Sequence, residues 1–154
     1  MNVKDLSIQL DDLPDEILIY IFKKLYNHEV LYSLMGVSQL LNKIVHDKIF
    51  TRDLCLLQHC SFGDSIVPLP DSILDRCCSK VLPDIGHQIE SLFLERTSIE
   101  RVLHAANYPN LNNLGLCDVD YKVAISLFGV YNRFVMPLFD GKRLSLFNFI
   151  LEMD

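Results

Sequence analysis

Tryptophan is missing from these 154 residues, and glycine and proline are sparse at six each. So few backbone breakers exclude collagen-like and Pro/Gly-rich low-complexity chains. Long hydrophobic runs are absent too: the longest, ILIYIF at 17 to 22, is six residues, far short of the roughly 18 needed to span a bilayer. The opening MNVKDLSIQLDD has neither the basic start nor the long apolar stretch of a secretory signal. Positive charge is in deficit, with 14 Lys and Arg against 20 Asp and Glu for a net charge of −6. That balance argues against a nucleic-acid binder, which needs a basic patch to neutralise phosphates. No Gly-rich phosphate loop occurs. Five cysteines, an odd number without a signal or an Asn-x-Ser/Thr acceptor, point to reduced thiols rather than a disulfide frame. The expected compartment is cytosol or nucleus.

Apolar residues make up half the chain and mean hydropathy is +0.22, so a sizeable core is expected. The clearest local signal is LPDEILIYIFKKL at 13 to 25. Pro14 suits the first helical position, where a missing N–H is harmless. Asp11, Asp12, Asp15 and Glu16 oppose the positive end of the helix dipole. Ile17, Leu18, Ile21, Phe22 and Leu25 then form a broad apolar stripe. A second helix is expected over about His28 to Met35, with Val30, Leu31 and Leu34 inward and Gly36 breaking it. A third starts from a Ser38 cap, preceded by Val37, and carries Leu40, Leu41, Ile44 and Val45. Three helices this short cannot bury so much apolar surface alone. They must pack on the rest of the chain, offer a face to a partner, or do both.

The order Leu-Pro, an Ile-Leu and Ile-Phe helix, a central Leu pair, then Val-Ser and a last helix resembles the F-box family over roughly residues 10 to 50. An ordinary helical subdomain is the competing reading. The resemblance implies docking on a Skp-type adaptor and, through it, a cullin scaffold carrying a ubiquitin-conjugating module, with no chemistry in the chain itself. The family's adaptor-facing positions fall on Leu13, Pro14, Ile17, Ile21, Leu31, Leu34, Val37 and Leu41. In the last helix Gln39, Leu40 and Leu41 stand where the family often has basic residues and an aromatic ring.

Residues 46 to 60 keep helical spacing through Ile49, Phe50, Leu54 and Leu57 and read as a connecting helix. Gly63, Pro68 and Pro70 mark a boundary between 61 and 70. Asp71 can cap a further helix that should stop at Pro83. Beyond it lies an internal repeat: Ile89-x-x-Leu92-x-Leu94 recurs as Leu111-x-x-Leu114-x-Leu116 at an offset of 22 residues, and Ile99, Val102 and Leu103 are answered by Tyr121, Ala124 and Ile125. This LxxLxL pattern is similar to leucine-rich repeats. That resemblance implies short strands with leucines inward, and Phe93 and Gly115 outward on a concave face. A degenerate third copy is expected at Met136 and Leu138, with Arg133 for the first Leu, Pro137 mid-strand, and Leu146, Phe147 and Ile150 in helical slots. An unrelated α/β arrangement with coincidental spacing is the alternative.

His59-Cys60 and Cys77-Cys78 lack the two-residue gap that lets paired thiolates share a zinc ion, so no metal or cofactor is expected. No nucleophile signature surrounds any Cys or His. The expected fold is therefore α+β tending to mainly α. A three-helix F-box at 8–55 leads through a helical connector at 56–84 to a short α/β leucine-rich-repeat-like solenoid at 85–154, which could be truncated. The expected function is the substrate-recognition subunit of an SCF-type (Skp/cullin/F-box) ubiquitin ligase, with neither nucleic acid nor membrane as a partner. Phe93, Glu95, Arg96, Gly115, Asp118 and Asp120 are the candidate substrate face. A protein-interaction scaffold that binds the adaptor without directing ubiquitin transfer is the second reading.

Overall fold

Two parallel strands, lined up leucine on leucine, organise the chain. The computed structural model describes residues 8–59, 66–117 and 143–147. Strand β4 (Ser91–Glu95) pairs with β5 (Asn113–Cys117) so that Leu92 faces Leu114, Phe93 faces Gly115 and Leu94 faces Leu116. The 22-residue repeat is thus a register: each leucine of one copy lies beside its equivalent in the next. Leu92, Leu94 and Leu114 are fully or almost fully buried. Side chains alternate along a strand, so these leucines share one face of the sheet.

The order in this four-stranded sheet is β1-β4-β5-β6, all parallel, with β1 at Asp53–Cys55 and β6 at Arg143–Phe147. A third Leu-x-Leu strand is formed by Arg143–Phe147, with Leu144 beside Leu114. Leu146 and Phe147 are strand residues rather than helical ones. Leu144-x-Leu146 is an equally good LxL match, and the longer spacing before it breaks the 22-residue step. Arg133, Met136, Pro137, Leu138 and Ile150, like Tyr121, Ala124 and Ile125, lie outside the described residues. The two copies that are described are joined by α7 (Ile99–Ala105), whose Ile99 and Val102 are buried.

The helices at the N-terminal end form as the sequence suggests, with small shifts. A 3₁₀ turn at Leu10–Asp12 leads to α1 (Asp15–Phe22), α2 (Asn27–Leu34) and α3 (Gln39–Val45). Pro14 is the residue just before α1 rather than its first, with φ −57° already in the range its ring imposes. Glu29 accepts the Tyr26 N–H at 2.9 Å, and the Ser38 hydroxyl accepts the Leu41 N–H at 3.1 Å, so both helix starts are capped by side chains. Between α2 and α3, Gly36 adopts φ +81°, a left-handed conformation that disfavours side chains.

Two expectations fail for identifiable reasons. Residues 46–60 are not one helix: α4 covers only Lys48–Thr51, after which come β1 and then β2 (Leu57–His59). The apolar spacing of 49–57 serves a helix or a buried strand, and the sheet edge decides: β1 pairs Leu54 with Leu92. Strand β2 forms an antiparallel pair with β3 (Ile66–Pro68). The helix beginning at Asp71, after Pro70, does not stop at Pro83. It runs as α5 (Asp71–Arg76), a π-helical turn at Cys77–Val81, and α6 (Leu82–Ile85). In that turn the Leu82 N–H reaches back five residues to the Cys77 carbonyl. Such a wide turn spreads the carbonyls that a proline ring would otherwise strike, so Pro83 is accommodated just after it.

Buried side chains from Leu18 in α1 through Phe50 and Leu54 to Leu92 and Leu116 form one continuous cluster. The N-terminal helices and the parallel sheet share this core. Each fully buried Leu or Phe contributes on the order of 1.5–3 kcal/mol of transfer free energy.

Candidate partner-docking face

Helix α1 divides its apolar residues between two faces. Leu18 and Phe22 are 0% and 3% exposed and enter the core, Phe22 lying edge-on to Phe50. Ile17 and Ile21 remain 46% and 40% exposed. At 100° per residue they are neighbours one turn apart, flanked by Tyr20 and, just past the helix, Leu25, both exposed as well. Val37, in the turn before α3, is 62% exposed. The Ser38 hydroxyl donates to the Asp11 carboxylate at 3.3 Å, tying that turn to the 3₁₀ turn ahead of α1. Lys24 lies 4.8 Å from the centre of the Tyr20 ring, and Asp11, Asp12, Asp15 and Glu16 ring the start of the helix.

The eight expected docking residues therefore separate. Pro14, Ile17, Ile21 and Val37 are exposed, and Leu13 and Leu34 are half-buried and packed against the core. Leu31 and Leu41, at 0% and 2% exposure, lie within the core and support the face from beneath. Helical periodicity groups all of them because a helix gripped on two sides carries one wide apolar arc. Sequence reasoning misses Tyr20, Leu10 and Leu25 as exposed apolar surface; Tyr20 is the one the wheel of α1 itself could have disclosed, since it flanks Ile17 rather than Leu18.

Polar side chains fasten this helical unit to the sheet and to the later helices. The Asn27 side-chain amide donates to the Asp53 carbonyl at 2.9 Å. His28 Nδ1 lies 3.0 Å from the Cys55 carbonyl, which requires the proton on that nitrogen. Burial holds the His28 pKa below its ordinary value, although the Cys55 carbonyl and Glu29 pull upward. Arg76 donates from Nε to the Tyr32 carbonyl at 3.0 Å and covers the Tyr32 ring. His46 places both ring nitrogens on acceptors, Nδ1 2.6 Å from the Asn42 carbonyl and Nε2 2.7 Å from Asp84 Oδ2. Burial is the largest influence on His46 and acts downward, but the Asn42 carbonyl and the Asp84 carboxylate outweigh it and raise the pKa.

The candidate substrate residues fare differently. Arg96 is exposed and Phe93 half-buried, whereas Gly115 and Glu95 are buried. Glu95 is not a free rim carboxylate: it accepts the Thr97 N–H at 2.9 Å and the Thr97 hydroxyl, capping the 3₁₀ turn Arg96–Ser98. Glu95 takes the N-cap position of that turn although glutamate is not a favoured cap residue, and the contacts with Thr97 prevailed over exposure. Asp118 and Asp120 lie outside the described residues.

Burial pushes the Cys77 thiol up to about 11 and raises those of Cys55 and Cys78, so these sulfurs are protonated and poorly nucleophilic at neutral pH. Among the described residues no group of three or more His, Cys, Asp or Glu could hold a metal ion, and no helix is long and apolar enough to cross a membrane. A family model described as F-box-like matches residues 10–57. No curated protein and no solved structure matches the chain.

Proposed function

Because the chain carries an F-box-like domain at residues 10–57, we propose that it recruits target proteins to an SCF-type ubiquitin ligase, binding a Skp-type adaptor through that domain and a target through the parallel sheet and its loops. The observation that carries this reading is the exposed apolar arc of Ile17, Ile21 and Val37 inside the matched segment. Side chains of this kind lose several kcal/mol of potential burial by facing water, a loss that a partner surface recovers. The mechanism is proximity: a bound target's lysine is held near a loaded conjugating enzyme on the cullin scaffold, and an encounter between molecules becomes local. The chain contributes no bond chemistry. In this reading residues 8–55 are the adaptor module, 56–84 the connector, and 85–154 a leucine-rich-repeat-like target module. The in-register leucines of β4 and β5 support that last assignment. Work in the cytoplasm or nucleus, where such ligases operate, goes with it.

The test is calorimetric titration of the full chain with a purified Skp adaptor. Ile17→Glu, Ile21→Glu and Val37→Glu are the informative variants, because these positions are exposed and the fold tolerates them, whereas Leu31→Ala would disturb the core. Stoichiometric binding by the wild-type chain, weakened about thirtyfold or more by a charge in the arc, is the expected result. No binding by the folded wild-type chain would overturn the proposal. Adaptor binding without adaptor-dependent ubiquitination of any captured protein would leave a scaffold.

A further inference from the structure

A cleft of about 400 Å³ lies between the Met35–Gly36 turn and the outer side of α5, the π-helical turn and α6, lined also by Asn42, Arg76, Lys80, Val81 and Asp84. Its volume is in the range of ligand-holding pockets. Its charge runs against the molecule: the chain is −6 overall, yet Arg76 and Lys80 project here from successive turns. Arg76 is pinned, with Nε committed to the Tyr32 carbonyl and the guanidinium laid over the Tyr32 ring. Its two terminal nitrogens and Lys80 Nζ have no hydrogen-bond or ion-pair partner among the described residues. A guanidinium so held has little ordering left to lose on accepting a carboxylate in a two-pronged contact. Among the described residues the one acid lining the cleft, Asp84, is engaged by His46.

We propose that this cleft binds an acidic peptide segment of a second protein, a carboxylate resting on Arg76 and Lys80 with an apolar neighbour against the accessible edge of Met35. The site is distinct from the apolar arc on α1. The cation pair selects for negative charge, and the pinned, planar guanidinium fork matches a planar carboxylate. Met35, 9% exposed, supplies an apolar edge that a free inorganic ion would not use, and the buried Val81 forms the floor beneath it.

Fluorescence anisotropy of the full chain with a labelled hexapeptide of alternating glutamate and leucine, beside its glutamine and leucine counterpart, tests this. The glutamate peptide should bind with an affinity that falls as salt rises, and the glutamine peptide at least about tenfold more weakly. Lys80 is exposed, so Lys80→Glu should reduce glutamate-peptide binding at least about tenfold while leaving far-UV circular dichroism and adaptor titration unchanged. Arg76→Lys keeps the charge but removes the fork, and should weaken the same peptide. Equal binding of the two peptides, wild-type affinity in Lys80→Glu, or displacement of the peptide by inorganic phosphate at equal concentration would each overturn the assignment. Because adaptor binding is read separately, its loss would bear on the α1 arc and not on the cleft.

Discussion

His46 on the C-terminal end of α3 and Asp84 on α6 meet at 2.7 Å although 38 residues separate them in sequence. The other ring nitrogen faces the Asn42 carbonyl, so only the doubly protonated imidazolium satisfies both neighbours. A cation is also well placed at this helix end, where the dipole is negative.

The His46 pKa is higher folded than unfolded, so the native chain holds the extra proton. The resulting stabilisation is complete below the ordinary value near 6.5 and disappears as pH rises through the folded value. In NMR titration Asp84→Asn should move the His46 midpoint down towards the ordinary value. Urea unfolding at pH 6 should show a larger deficit for Asp84→Asn than at pH 8.5. Equal deficits at both would remove the linkage.

His28 has the opposite sign. Its folded pKa is lowered, chiefly by burial, so its contribution is complete above about 6.5 and is lost as pH falls through the folded value. Wild-type stability should decline on acidification below pH 6. His28→Gln, which cannot take up the proton, should flatten that decline while weakening the contact with the Cys55 carbonyl at all pH values.

The two faces of α1 predict opposite outcomes for the same kind of truncation. Leu18→Ala empties a fully buried site and should cost about 2–5 kcal/mol in chemical denaturation. Ile17→Ala, one residue away but 46% exposed, should cost about 1 kcal/mol or less and should instead weaken adaptor binding. Comparable losses of stability would mean that Ile17 is core.

Gly86 admits no larger residue. A Cβ there would sit 2.6 Å from the Asn107 carbonyl oxygen and 3.0 Å from the Ala106 side chain. Gly86→Ala should therefore destabilise by about 1–3 kcal/mol, measurable as a lower denaturation midpoint. Gly36→Ala meets open space, so its penalty, about 1 kcal/mol, comes from the +81° φ alone.

Much of the fold was legible in the sequence because local rules and tertiary demands agreed. The Ser38 cap, the Gly36 break and the α1 acidic start each depend on neighbours within a few residues. The repeat at 92–94 and 114–116 was legible because parallel pairing turns a sequence offset into a spatial register. What was not legible depends on distant partners. Nothing local separates Ile17 from Leu18, or shows that Asn27 and His28 reach the backbone of β1. Asp53–Cys55 became strand only because β4 was there to pair with it, and Pro83 stayed within a helical run only because the π turn preceding it made room. Glu95 misled for the converse reason: its polarity suggested exposure, while the Thr97 cap allowed it to be buried.

Arg52 alone separates the last turn of α4 from the first residue of β1, and its carbonyl accepts the N–H groups of both Glu90 and Ser91 where the sheet begins. That single residue works as a ruler. An added residue at this point would turn Leu54 away from Leu92 or rotate the helices relative to the strands, since strand faces alternate with every position. Insertion or deletion at Arg52 should therefore be far less tolerated than a lengthened loop between α1 and α2, and orientation, more than distance, is what the short junction conserves.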